Sequence, residues 1–267
     1  MPGLRYMLSF AVVLLGGCNP ERDERDAPDN AAAVAETNEV AVERPKAVPA
    51  LAPEMDRAAL LAAVAQAASA HAAGLDDRAA QTDLAGRRFA VKLRFGCGGP
   101  VTEGPLNWSY DEAEQRLMIR ATPDIEGAGA GVTASPEEPI EAVEGFWIPR
   151  PWMLADACPA NPSEASAAPP QPTVGVAHYF TADDSRVPRR SQRSYEIVRR
   201  AEPAILPPSG GFNLVLEGRL KPWPQAGVIR CRSAGDTRPV CIVSAEFDRV
   251  SFENPETGQT VAQWGAG

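Results

Sequence analysis

The chain has 267 residues, of which 26 are basic and 35 acidic, and a formal net charge of −9 at pH 7. An acidic surface repels polyanions, so we expect no nucleic-acid partner. Proline occurs 26 times, about twice the usual share, which predicts a loop-rich protein. The length of the chain suffices for one well-buried core or two small ones.

The start of the chain has the pattern of an export signal. Arg5 precedes an apolar run that extends from Tyr6 to Gly17, a length typical of a cleavable signal peptide. A membrane-spanning helix needs about 20 apolar residues, and the polar residues after this run cannot extend it. We therefore predict that residues 1–17 are a signal peptide.

The apolar run ends in Leu15-Gly16-Gly17-Cys18, which resembles the lipobox of bacterial lipoproteins. The resemblance covers only the segment 1–18 and implies nothing about the fold that follows. It implies that Cys18 receives a diacylglyceryl group on its sulfur, that the chain is cut before Cys18, and that the new amino group is often acylated. Two anchoring chains together hold a protein stably at a membrane.

The residue after the lipobox bears on the location of the protein. Asp at this position tends to retain Gram-negative members of the family at the inner membrane, whereas this chain has Asn19. The resemblance therefore implies a lipid-anchored protein of the cell envelope, at the outer membrane and facing the periplasm. The alternatives are an uncleaved N-terminal anchor and an ordinary cleaved signal.

Residues 18–53 are predicted to be a tether. Between Asn19 and Pro53 there are eight acidic and four basic residues and no aromatic side chain. Such a segment buries too little apolar surface to offset its chain entropy. We expect a flexible acidic linker, with partial packing as a helix as the alternative, followed by a single globular domain over residues 54–267.

The domain begins with a predicted helix over residues 56–73. Leu60, Leu61, Val64 and Ala68 fall on one face of it, the spacing of an amphipathic helix. Asp56 has the position of an N-cap and Gly74 that of a C-terminal stop. His71 falls in the last turn, where a positive charge suits the helix dipole.

From Arg87 onward, apolar residues recur at every second position, the period of a half-buried strand. The strand segments are 87–95, 106–110, 117–121, 143–152, 174–180, 193–200, 212–220, 228–232, 240–247 and 260–264. Prolines near the end of the fourth segment indicate an edge strand or the end of the strand. We expect 193–200 to pair with 174–180, and 240–247 to pair with 228–232. A change of parity after Phe247 predicts a bulge at Asp248–Arg249.

This order of elements predicts the fold class. No strand alternates with a helix, so a parallel α/β sheet is not expected. We predict a mainly β protein, an antiparallel sandwich or barrel-like domain of about ten short strands. One α-helix and the disordered tether precede it.

Four cysteines remain besides Cys18, an even number that favours disulfides in an exported chain. We favour a bond between Cys231 and Cys241, because the nine residues between them include Gly235, Asp236 and Pro239. Cys97–Cys158 follows by elimination. The rival interpretation is a metal site, but no two cysteines have the CxxC spacing and the chain has two histidines. We expect neither a metal nor a cofactor.

The sequence contains no motif typical of a hydrolase nucleophile, a zinc protease or a phosphate-binding loop. His178 is the best candidate for a general base, with Asp183 or Asp184 to orient it. Its neighbours on the same strand face are Val174, Val176 and Phe180. The competing interpretation is therefore a core histidine followed by two turn residues.

The segment after His178 is rich in arginine. Arg186, Arg189, Arg190 and Arg193 are followed by two more arginines at the end of the next strand. Arginine binds phosphate and carboxylate with paired hydrogen bonds, so this predicted hairpin is a candidate anion site for a lipid headgroup or cell-wall polymer. Pairing of these arginines with the many acidic residues is the alternative.

Two tryptophans, Trp147 and Trp152, flank a proline-containing segment. Exposed aromatic side chains beside prolines can line a sugar or peptide groove. The alternative is that both cover one end of a sheet.

Taken together, these patterns predict a membrane-anchored envelope lipoprotein whose non-catalytic β-domain binds or scaffolds another envelope component, either a protein or a polymer. One alternative is a hydrolase of cell-wall or exported substrates that uses His178. The other is an anion-binding module built on the arginine-rich segment, whose binding would weaken with salt.

Overall fold

The structure is a computed structural model that describes residues 52–125, 139–161, 172–184, 188–200, 207–235 and 237–265. These residues form one α-helix, one turn of 3-10 helix and ten strands in two sheets. The helices are α1 (Arg57–Ala72) and the 3-10 turn Thr82–Leu84. The strands are β1 (Arg88–Phe95), β2 (Leu106–Asp111), β3 (Arg116–Ala121), β4 (Ile140–Trp147), β5 (Val174–Thr181), β6 (Tyr195–Arg200), β7 (Phe212–Leu220), β8 (Ile229–Ala234), β9 (Thr237–Glu253) and β10 (Thr260–Gly265).

The predicted mainly β class is confirmed, with one helix ahead of the strands. Neither sheet closes into a barrel within the described ranges. Cys18 and nearly all of the predicted tether lie outside the described residues. Residues Ala50–Gly267 form one compact unit.

Helix α1 begins and ends where its capping residues predict. The Asp56 carboxylate accepts a hydrogen bond from the Ala59 N–H at 2.8 Å. Gly74 has a left-handed backbone (φ 68°) and donates its N–H to the His71 carbonyl at the helix end. The His71 ring meets the Ser233 hydroxyl of β8 at 3.2 Å.

Strand β9 is the centre of the larger sheet, which has seven strands. Strands β5 and β8 pair with overlapping residues of β9 and so lie on opposite edges of it, as do β7 and β10. The main-chain groups of Ser244 bond both Lys221, after β7, and Val228, before β8. Strands β7 and β8 therefore share one edge of β9, and β5 and β10 share the other.

Strand β5 departs from the antiparallel pattern, because Val174–Ala177 pairs with Cys241–Ser244 of β9 in parallel. The predicted hairpin between 174–180 and 193–200 is wrong. Strand β5 pairs with β4 and β9, whereas β6 pairs with β3 in a separate three-stranded sheet, β2-β3-β6. Every residue of β5 before Thr181 is buried, so its sequence pattern carries no information about which strand it pairs with.

The bulge predicted at Asp248–Arg249 is confirmed, because Asp248 has no partner in β7 while the residues on either side of it do. The extra residue lets Val250 and Phe252 reach the main core. Gly218 pairs next to the bulge, where a Cβ would overlap the Glu246 carbonyl oxygen. A residue without a side chain is required at this point.

Two cores cover opposite faces of the larger sheet. The main core packs buried residues of α1 and of the three-stranded sheet against β1, β5, β7 and β9. The smaller core consists of Ile125, Val143, Ala177, Tyr179, Trp223, Val240 and Ile242. Strands β4 and β5 thus lie between two apolar layers. Strand β4 is at the edge of the larger sheet, as the prolines after it predicted.

Both favoured disulfides are present. Cys97 is bonded to Cys158, and Cys231 is bonded to Cys241, its direct partner across β8 and β9. Within the described ranges, no helix is long and apolar enough to cross a membrane.

Candidate functional site

The larger sheet opens between β5 and β10 along one edge of β9. Pairing with β5 ends at Ser244, and pairing with β10 ends at Arg249. In the registers of the described strands, residues 245–248 of β9 therefore have no partner on this edge. A cavity of about 170 Å³ lies at this opening, comparable to the roughly 150 Å³ cavity that holds one benzene ring. We call it the β5–β10 cleft.

The walls of the cleft are largely aromatic. The His178 ring stacks on Phe180 with centroids 4.2 Å apart and meets the Phe247 ring edge-on at 6.1 Å. On the other side, Tyr195 of β6 packs edge-on against Trp264 of β10 at 5.3 Å. These four aromatic residues and His178 line the cleft together. Such rings offer faces and edges on which a flat or apolar group packs well.

A buried carboxylate shapes the loop that covers the cleft. Glu144 is 8% exposed, and its two carboxylate oxygens accept the main-chain N–H groups of Arg190 (2.9 Å) and Ser191 (2.6 Å). Ser191 and Gln192 both have left-handed backbones, with φ of 51° and 65°. Because these conformations are unfavourable for non-glycine residues, the two hydrogen bonds to Glu144 help to hold the loop in this shape.

The cations at the cleft are engaged with the protein itself. The Arg190 guanidinium lies over the Tyr195 ring at 4.5 Å and donates to the Ser194 carbonyl at 2.6 Å. Arg249 forms a two-point ion pair with Glu217 across β9 and β7. The cleft therefore combines apolar walls with charges that are already paired.

His178 does not form the acid–base pair that would be needed for hydrolysis. Burial is the main cause that lowers its pKa from 6.5 to about 4, and Lys221 adds to it while Asp184 opposes it. The Asp184 carboxylate instead accepts hydrogen bonds from the Thr181 N–H (2.6 Å) and hydroxyl (2.9 Å), and the N–H bond is the main cause that lowers its pKa. Asp183 is exposed in the same turn. Among the described residues, no hydrogen bond joins His178 to a carboxylate.

The candidate anion residues are dispersed. Arg189 pairs with Glu141 at 3.4 Å, and the Arg193 Nε donates to the Arg190 carbonyl at 3.0 Å. Arg190 covers the Tyr195 ring, and Arg186 lies outside the described residues. The three described arginines are thus bonded to the loop or to neighbouring acids.

The two flanking tryptophans have different environments. Trp147 is half-buried and packs against the smaller core, whereas Trp152 is 58% exposed. Neither lines the β5–β10 cleft. Within the described ranges, no group of three or more His, Cys, Asp or Glu side chains is placed to hold a metal ion.

Sequence reasoning missed most of the cleft residues. It identified His178 and Phe180 on one strand face and Arg190 in the arginine-rich segment. It did not identify Glu144, Tyr195, Phe247 or Trp264, which come from four other strands. One local indication was available, since Glu144 is a single charge inside the run Val143-Glu144-Gly145-Phe146. A charge in a buried strand needs a partner.

Comparison of the chain with protein-family models, with curated proteins and with solved structures finds no match.

Proposed function

We propose that the protein is a lipid-anchored protein of the bacterial cell envelope, attached through Cys18 and facing the periplasm from the outer membrane. The support for the anchor is the resemblance of Leu15-Gly16-Gly17-Cys18 to the lipobox and the short apolar run before it. Two disulfides are compatible with an exported chain, because such bonds persist in oxidising compartments.

We further propose that the domain binds another envelope component in the β5–β10 cleft without catalysing a reaction. The observation that carries this proposal is the opening in the larger sheet, where aromatic walls adjoin a free strand edge of β9. An extended protein segment can bond such an edge through its main chain while one side chain enters a pocket. The cavity volume of about 170 Å³ suits one ring-sized, uncharged group.

The electrostatics of the cleft support an uncharged ligand group. Glu144, Arg190 and Arg249 are all bonded to protein groups. A charged ligand group would have to compete with these existing bonds, and its own desolvation in the cleft would oppose binding. An aromatic or aliphatic side chain of a partner protein meets no such cost.

The two alternative functions have less support than binding in the cleft. A hydrolase would need His178 as a base, but with a pKa of about 4 its imidazole has little affinity for a proton at neutral pH. An anion-binding module would need free arginine heads, whereas Arg189, Arg190 and Arg193 are engaged in hydrogen bonds or an ion pair.

Photo-cross-linking in intact cells tests the binding proposal. Gly265 lines the cleft, and a Cβ built there meets no atom within 4 Å, so the backbone at this position has room to carry the side chain of a photoreactive amino acid. Glu112, exposed in the turn between β2 and β3 and absent from the cleft lining, is the matched control. We expect a cross-linked envelope partner from position 265 and none from position 112. Equal products from both positions, or none from either, would contradict binding in the cleft.

A further inference from the structure

A second surface of the domain carries exposed apolar side chains close to the point where the chain enters the fold. Among the described residues, five large apolar side chains are exposed. Only two of these, Trp152 (58% exposed) and Leu154 (60%), lie within three positions of each other. We call the segment 150–155 the knuckle.

The exposure of the knuckle is built into the fold. The Arg57 guanidinium donates to the main-chain carbonyls of Pro149 (2.7 Å), Arg150 (3.0 Å) and Met153 (2.9 Å). A turn closes when the Met153 N–H bonds the Arg150 carbonyl at 2.9 Å. Arg57 itself is 4% exposed, and a buried guanidinium with three carbonyl partners holds a segment firmly. Trp152 is thus held at the surface on a fixed support.

The knuckle is also adjacent to the start of the domain. The described chain begins at residue 52, and Met55 bonds β1 through the Arg88 carbonyl and the Ala90 N–H. Arg57, two residues later, reaches the knuckle with its own side chain. The first residues of the domain therefore lie along β1, and the Arg57 side chain joins them to the knuckle.

Charge limits what kind of membrane contact is open to this protein. Without Arg5, the chain carries 25 basic and 35 acidic side chains, a net charge of −10. Eight of the acidic and four of the basic side chains belong to the predicted tether, so the domain itself carries a net charge of −6. Such a domain is not attracted as a whole to an anionic lipid surface. Contact with lipid has to be local and apolar. Tryptophan is one of the two side chains enriched at the boundary between headgroups and acyl chains. Asp156, exposed two residues after Leu154, restricts the contact to the tip of the knuckle.

We propose that the knuckle inserts Trp152 and Leu154 into the interfacial layer of the bilayer that holds the lipid on Cys18. This inference rests on the proposed lipid anchor. It adds a second contact with the membrane and sets which end of the domain faces the lipid. The β5–β10 cleft is lined by none of the knuckle residues.

Fluorescence of the full mature lipoprotein in vesicles tests the insertion. The protein is reconstituted in phosphatidylethanolamine–phosphatidylglycerol vesicles with and without lipids brominated near the headgroup end of the acyl chain. Trp152→Phe is the matched control, since it keeps an apolar ring and removes one of the five tryptophans. We expect bromine to quench most of the emission that the wild type has and Trp152→Phe lacks. Acrylamide in the water should quench little of it.

Each result bears on a different claim. Failure of the protein to float with the vesicles would overturn the lipid anchor, and the insertion with it. Flotation with Trp152 emission quenched by acrylamide and not by bromine would overturn the insertion alone. Emission protected from both quenchers would also overturn it, in favour of a protein surface or a second copy of the chain over the knuckle.

Discussion

At the residue scale, two neighbours across β4 and β5 show how burial sets chemistry. Glu144 and His178 are register partners, and each is 8% exposed. Glu144 accepts hydrogen bonds from two main-chain N–H groups and thereby holds the loop that covers the β5–β10 cleft. His178 has no such partner among the described residues, and its pKa falls to about 4. His178, buried and without a carboxylate partner among the described residues, therefore forms part of the apolar wall of the β5–β10 cleft.

Replacement of Glu144 by alanine tests the role of the buried carboxylate. Glu144→Ala leaves the Arg190 and Ser191 N–H groups without their acceptor, which we expect to cost about 2–3 kcal/mol of unfolding free energy. Glu141→Ala is the control, because its pairing with Arg189 involves a 40% exposed carboxylate side chain and such pairs contribute about 0–1 kcal/mol. Urea denaturation measures both. Equal losses would show that Glu144 does not organise the loop.

The pH dependence of stability tests the environment of His178. The folded pKa is about 4, below the ordinary 6.5, so as pH falls the unfolded chain takes up its proton first. The contribution of His178 to the free energy of unfolding is fully present above about pH 6.5. As the pH falls to about 4, the free energy of unfolding decreases by roughly 3 kcal/mol in all because of this group.

Comparison with His178→Phe isolates this contribution from that of Asp124. Burial is the main cause that raises the Asp124 pKa to about 6. The effect of this carboxyl on the unfolding free energy therefore has the opposite sign, because stability is lost as the pH rises through about 6. The difference in unfolding free energy between the wild type and His178→Phe should slope only between pH 4 and 6.5. A constant difference across that range would contradict a buried neutral His178.

At the element scale, local sequence patterns predicted the positions of the strands better than they predicted which strands pair. Alternation gave the position of β1, the β2–β3 and β8–β9 hairpins and the bulge at Asp248, because each depends on residues close in sequence. The parallel pairing of β5 with β9 was not predicted, since β5 is buried on both faces and three other strands, β6, β7 and β8, separate it from β9 in the chain. The cleft depends on that pairing, so its lining could not be predicted either.

The bulge in β9 requires a glycine at the facing position of β7. A Cβ at Gly218 would overlap the Glu246 carbonyl oxygen, so Gly218→Ala forces two backbones apart, at a cost of about 1–3 kcal/mol. At Gly265 a Cβ meets nothing within 4 Å, and Gly265→Ala should change stability by less than about 0.5 kcal/mol. Thermal unfolding of both variants checks this. A harmless Gly218→Ala would contradict the register of β7 and β9.

At the scale of the whole molecule, two disulfides supplement a loop-rich domain. Removal of the Cys231–Cys241 bond by alanine at both positions opens a link of separation 10, which we expect to cost about 3 kcal/mol. The corresponding change at Cys97 and Cys158, with separation 61, should cost about 4 kcal/mol. Denaturation without reductant measures both losses. Reactive free thiols at these four positions in the native protein would contradict the pairing.

In the account proposed above, the whole molecule combines an N-terminal lipid, a knuckle linked to the start of the domain and a cleft lined by other residues. In this arrangement Arg57 links the start of α1 to the knuckle, while the cleft is lined by residues of β4, β5, β6, β9 and β10. The fold class predicted from the sequence is confirmed, whereas the lipid anchor stays a prediction. The sequence could not predict the knuckle, because the exposure of Trp152 depends on Arg57, which lies far from it in sequence.

Mass spectrometry of the mature N-terminal peptide, prepared from cell envelopes, tests the central claim most directly. We expect the first residue to be Cys18, with a diacylglyceryl group on its sulfur. A mature chain that begins elsewhere, or that carries Cys18 with an unmodified thiol, would contradict attachment of this domain to the membrane through lipid.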